Sequence, residues 1–154
     1  MRNWIVIIAL FLSISEVKAI DIFTMREIYF KASINKRNYE RFAQVTSQIS
    51  LQDSPVLRCY KGVSIVMKSN YVFNPYEKFS YFKKGKSIIE QAVQDEPHNI
   101  EIRFLRFCVQ NKCPIILGYK HDLENDKKFI LSKLNSEKDS DLVQKIKQYL
   151  THVK

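Results

Sequence analysis

The sequence predicts an all-α fold: stacked antiparallel helical hairpins, about seven helices in all, following a short leader. Three observations predict it. Glycine and proline are scarce, with three and four copies in 154 residues, which disfavours an all-β or disordered chain. Apolar residues recur three and four positions apart along most of the chain. Asparagine, aspartate, serine and proline stand where these periodic stretches begin or end.

The chain opens with a leader. Arg2 supplies a positive start, and the apolar run from Trp4 to Ile14 is short for a membrane span. Val17-Lys18-Ala19 offers a cleavage site, so the cut is expected between Ala19 and Ile20, leaving residues 20–154 as one helical domain. The same segment also reads as a retained anchor. Cleavage would place the protein in the periplasm or outside the cell, with no transmembrane segment left.

The remaining elements follow in order. Asp21 begins a helix with Ile22, Met25, Ile28, Tyr29 and Ala32 on one face, and Asn35 ends it. Asn38 is expected to cap the next, which carries Phe42, Val45 and Ile49. Ser54 and Pro55 start a third with a wide apolar stripe, Val56, Tyr60, Val63 and Met67, so it should be central. Asn74 and Pro75 start a fourth, carrying Phe79, Phe82, Ile88, Ile89 and Ala92, with Gly85 small on the same side. Pro97 stops it, because proline lacks the amide and pushes its predecessor out of the α region. Asn99 caps a fifth. Ile100, Ile102 and Phe104 alternate as in a strand, but the cap and the preceding proline favour helix. Ile115-Ile116-Leu117 should tuck against the core, and Tyr71, Val72, Phe73 and Tyr76 should pack at a helix junction or else form an exposed docking patch. Asp122 and Ser140 are expected to cap the last two helices.

Phe82, Gly85, Ile89, Ala92 and Pro97 stand at the spacing of the second helix and closing proline of a tetratricopeptide repeat (TPR), and Asn99-Ile100-Glu101 resembles the opening of the next repeat. About one repeat is covered. Arg103 and Arg106 fall where the repeat's aromatic and Leu-Gly pattern would continue. The domain is therefore TPR-like, which implies close helix approach at Gly85 and Ala92. Asn99 to Phe107 also resembles the core of short, uncharacterised secreted proteins of Gram-negative bacteria, a resemblance that implies no activity.

Net charge is +9; the leader contributes +1 (Arg2 and Lys18 against Glu16), leaving +8 on the remainder. The lysines are spread over several helices, so a solvated surface or weak contact with an anionic membrane surface is expected. No nucleic-acid motif occurs. Cys59, Cys108 and Cys113 allow one disulfide and leave one thiol over; Cys59 and Cys108 also read as buried small hydrophobes.

Catalytic signals are lacking. His98, His121 and His152 have no ligand at metal-site spacing, and no phosphate loop, serine elbow or Cys-Xaa-Xaa-Cys motif occurs. His121-Asp122 reads as a helix cap with an exposed neighbour. No cofactor or metal is expected, and no enzyme. The expected function is a protein- or peptide-interaction module, its partner held between helix pairs; the alternative is a small periplasmic enzyme or ligand carrier with an apolar pocket between helices. Asn99, Arg103, Arg106 and Gln110 form one polar stripe on a helix otherwise nearly all apolar. Arg103, Arg106 and Gln110 are thus the candidates to hold an acidic group of a partner, or else to meet internal acids such as Glu90, Asp95 or Glu101.

N-terminal sequencing of the exported protein should read from Ile20. A mature chain that keeps Met1 would point to the anchor instead.

Overall fold

The computed structural model describes residues 20–153. The leader lies outside them. The described residues form seven α-helices, two single-turn 3-10 segments and no strand. The helices are α1 (Ile22–Ala32), α2 (Lys36–Ser47), α3 (Pro55–Lys68), α4 (Pro75–Asp95), α5 (Ile100–Lys112), α6 (Leu123–Lys133) and α7 (Ser140–His152). The 3-10 turns are Ser69–Tyr71 and Ile115–Leu117.

Local chemistry starts most of these helices. The Asp21 carboxylate accepts from the Thr24 amide at 2.9 Å, and the Asn99 side chain accepts from the amides of Glu101 and Ile102 at 3.0 and 3.2 Å. Asn74 and Pro75 start α4 as expected, with the Tyr76 amide donating to Asn74 Oδ1 at 2.8 Å. Four expected caps differ. Asn35, rather than Asn38, caps α2, because its side chain reaches the Asn38 amide at 2.9 Å. Asp139, rather than Ser140, caps α7, its carboxylate accepting from the Leu142 amide at 3.1 Å. Ser54 stands at the cap position of α3 without a side-chain bond; Pro55 alone marks the start. Asp122 precedes α6 but turns its carboxylate to Arg106 and His121 instead.

Helix α3 is central: it packs on α1, α2, α4 and α5, most extensively on α4. Glycine decides that contact. A Cβ on Gly85 would fall 2.5 Å from the Gly62 carbonyl oxygen and 2.6 Å from a Val66 methyl. A Cβ on Gly62 would fall 2.9 Å from the Gly85 carbonyl oxygen. The helices therefore meet backbone to backbone, an approach only glycine permits. Ala92 is fully buried one helical stretch further on.

Two apolar cores result. One gathers α1, α2, α3, α4 and one side of α5, through Ile102, Leu105 and Val109. The other gathers α6, α7 and the opposite side of α5, through Ile100, Phe104 and Phe107. Ten of the thirteen residues of α5 are buried, because the helix is the wall between both cores.

Several apolar residues expected inside are outside. Phe73, Tyr76, Ile115 and Ile116 are 99, 86, 83 and 92% exposed, and Phe79 is half exposed. Phe73 and Tyr76 straddle the α4 start, where the helix projects beyond its neighbours' contact at Phe82 and Gly85. Only Tyr71 of that cluster finds a partner, stacking on Tyr39 at 4.4 Å. In the Ile115–Leu117 turn, Leu117 alone packs on the core.

Gly85→Ala should lower stability by roughly 1–3 kcal/mol, because neither helix can retreat without opening the core. Ala92→Leu should do likewise. A urea midpoint unchanged for Gly85→Ala would show that the two backbones part freely.

Candidate functional site

Burying α5 on both sides forces its polar residues to find partners inside. Glu101 faces α1. Arg26, 3% exposed, grips it with two bonds, Nε to Oε1 at 2.7 Å and Nη2 to Oε2 at 2.8 Å. The Tyr60 hydroxyl donates to Glu101 Oε1 at 2.6 Å. Arg26 also reaches Asp139 at 2.8 Å and Asp141 at 3.1 Å. The cluster thus ties α1, α3, α5 and the start of α7. Burial alone would depress the Arg26 pKa, but Glu101 and the two aspartates outweigh it and raise it. Burial likewise opposes ionisation of Asp139; hydrogen bonds from Arg26 and the Leu142 amide win and lower its pKa. A lowered carboxyl contributes stability above its ordinary range and loses it as pH falls through the lowered value.

A second cluster sits further along α5. Arg106, 5% exposed, holds Asp126 with Nε to Oδ2 at 2.7 Å and Nη2 to Oδ1 at 2.8 Å. Its Nη1 reaches Glu90 at 2.8 Å and Asp122 at 3.2 Å. The Tyr119 hydroxyl donates to Glu90 Oε1 at 2.6 Å. Arg103 pairs with the same Asp126 and lies over the Phe129 ring, 4.6 Å from its centroid.

Of the two readings of the polar stripe, a partner's acid or internal acids, Arg103 and Arg106 meet internal acids. The Arg106 fork is filled by Asp126, Glu90 and Asp122, and Arg103 is turned to Asp126 and the Pro97 carbonyl. Gln110 is fully buried, and neither its Nε2 nor its Oε1 has a hydrogen-bond partner among the described residues. No carboxylate of a partner can reach Arg106 without displacing one of its own. Asp95, one of the acids expected for that stripe, pairs instead with Arg58 at 2.7 Å and accepts from Gln91 at 2.9 Å.

A concave site lies elsewhere. Helices α1, α3, the C-terminal half of α5 and the two 3-10 turns, with one residue each from α4 and α7, enclose a cavity of about 350 Å³. Phe30, Val63, Val66, Met67, Phe82 and Val109 line it, with Tyr29, Tyr149, Asn70 and Lys112 as its polar members. Its size and mixed lining are those of small-molecule sites. At the other end of α5 a polar cleft of about 320 Å³ includes Arg26 and Asp139, already engaged with each other.

All three cysteines are buried free thiols. Cys108 and Cys113 line the cavity. Burial pushes the Cys108 thiol up to about 12 and the Cys59 thiol higher still, so both are protonated and poor nucleophiles at neutral pH. His121 bonds Asp122 at 2.9 Å but stays largely exposed.

The cavity was not legible in the sequence, since its lining comes from seven separate elements and most of its residues read locally as core. The acids that engage Arg106 and Arg26 were partly legible: Glu90 was among the expected internal partners of Arg106, whereas Glu101, expected for the same stripe, pairs with Arg26. Asp122, Asp126, Asp139 and Asp141 stand at helix starts, where an acid reads first as a cap or a dipole partner. Comparison with known protein families, with curated proteins and with solved structures finds no match to this chain.

Two substitutions in α5 and its surroundings should act in opposite directions. Gln110→Met removes a buried amide without protein partners and should raise stability by about 1–2 kcal/mol. Asp126→Ala leaves Arg106 buried with its main partner gone and should cost about 3–5 kcal/mol. Thermal unfolding followed by circular dichroism checks both, and a Gln110→Met protein that melts below wild type would show that the amide is satisfied in solution.

Proposed function

We propose that this protein binds an apolar ligand in the cavity between α1, α3 and α5, and does so without chemistry. The carrying observation is the cavity of about 350 Å³, walled by apolar side chains, with a few polar groups among them. The hydroxyls of Tyr29 and Tyr149 and the Lys112 ammonium would orient a ligand that has one polar or acidic end. Cys108 and Cys113 both line the cavity, and burial raises both thiols above their ordinary range, which supports binding over catalysis.

The interaction-module reading uses the same cavity, with an apolar side chain of a peptide as occupant. Export belongs to the proposal too: cleavage after Ala19 would deliver the binding domain to the periplasm or the medium. The TPR-like reading draws support from the backbone contact of Gly62 and Gly85 and from the packing of successive helices as neighbours.

An anilinonaphthalene-sulfonate dye, apolar with one anionic group, is a suitable probe. It should bind the native protein saturably with one site. Met67→Trp places a larger ring in the cavity and should weaken the dye by at least about tenfold, or 1.4 kcal/mol, while the melting temperature stays near wild type. Equal dye affinity in Met67→Trp would remove the cavity as the site.

A further inference from the structure

Elsewhere on the surface, exposed large apolar residues stand singly: Phe23, Ile34, Leu51 and Leu131. Such isolated residues need no special cause. Phe73, Tyr76, Phe79, Ile115 and Ile116 are exposed too, but contacts of their chain neighbours link the two segments that carry them. Tyr76, Phe79 and Lys83 recur at spacings of three and four along α4, so they share a face. The Lys83 ammonium lies 5.6 Å from the Phe79 ring centre. Phe82, one residue earlier, packs edge-on against Tyr119 at 5.8 Å, and Lys86 lies 4.7 Å from the Tyr119 ring centre. That places the segment carrying Ile115 and Ile116 beside the first half of α4. Tyr71, Phe82, Pro114 and Leu117 line one cavity, which joins the turn before Phe73 to the same region.

The region is also basic. From Lys68 to Lys86 the chain carries five lysines and one acid, Glu77; from Lys112 to Lys120 it carries two lysines and no acid. Projecting aromatic and aliphatic side chains ringed by lysines match the boundary of an anionic bilayer. There rings enter the headgroup layer while ammonium groups meet lipid phosphates. A second copy of the chain fits worse, because a two-fold contact through this surface would set its lysines against each other. No described helix is long and apolar enough to cross a membrane, so the contact is one of surface docking.

We propose that the surface formed by Phe73, Tyr76, Phe79, Ile115 and Ile116, with the lysines around it, docks the protein on an anionic lipid bilayer. This does not rest on the cavity as a ligand site, although the two 3-10 turns border both.

The test is co-sedimentation of the purified full chain with vesicles of phosphatidylcholine alone and of phosphatidylcholine with an equal amount of phosphatidylglycerol. The anionic vesicles should bind and the neutral ones should not, and added salt should release the protein. Lys78→Glu with Lys83→Glu should lower the partition coefficient at least about thirty-fold, because the loss of two lysine charges alone gives that factor and the two glutamates add repulsion. Phe73→Ser with Tyr76→Ser should lower it while leaving the melting temperature unchanged, since both side chains are exposed. Met67→Trp should sediment as wild type, which separates this result from that of the cavity. Equal binding to neutral and anionic vesicles overturns the proposal, as does wild-type sedimentation by both double variants. A protein that ignores vesicles but changes from dimer to monomer in Phe73→Ser with Tyr76→Ser would assign the surface to a second copy and overturn it as well.

Discussion

The burial of α5 is the constraint on which the other contacts depend. A helix with apolar residues almost all round can only sit between two cores, and it does, Ile102 and Leu105 toward one and Phe104 and Phe107 toward the other. Its two buried charges, Glu101 and Arg106, then have no water to meet. An unpaired charge in such a place would cost several kcal/mol, so each must be matched from a neighbouring helix. Glu101 draws in Arg26 from α1, and Arg106 draws in Asp126 from α6 and Glu90 from α4. Both pairs are two-pronged, which sets the rotation of α1 and α6 about α5 as well as their distance. The apolar effect supplies the bulk of the stability; the paired arginines restrict how the helices around α5 can be arranged.

The second constraint is the backbone contact of α3 and α4. Gly62 and Gly85 bring those two helices closer than any side chain would allow. Towards the other side, α3 meets α1 and α5 through larger residues that do not close completely at their ends. The cavity is what remains where Val63 and Met67 of α3, Phe30 of α1 and Val109 of α5 diverge. The close contact and the open one are thus two consequences of side-chain size on a single helix. The Ile115–Leu117 turn that helps finish the cavity leaves Ile115 and Ile116 exposed, and Phe73, two residues after the other 3-10 turn, is exposed as well. The cavity and the exposed apolar residues at Ile115 and Ile116 consequently lie on either side of one turn.

The sequence by itself determined the helical class, the order of the seven helices and most of their limits. Those depend on local signals: period, proline, and an asparagine or aspartate one turn ahead. Gly85 and Ala92 could be read as close-packing positions because small residues on an apolar stripe have few other uses. Where local signals compete, reading them in isolation failed. Asn35 and Asn38 are both fit to cap, as are Asp139 and Ser140, and which one does depends on where the preceding chain arrives. Only the tertiary structure decided which apolar residues are inside, where the two arginines of α5 point, and that a cavity exists. Burial of Ile115 or Phe73 depends on whether another element covers it. The partners of Arg106 lie 16 and 20 residues away, and those of Arg26 75 and 115 residues away. Period and spacing along one helix carry no information about contacts at that range.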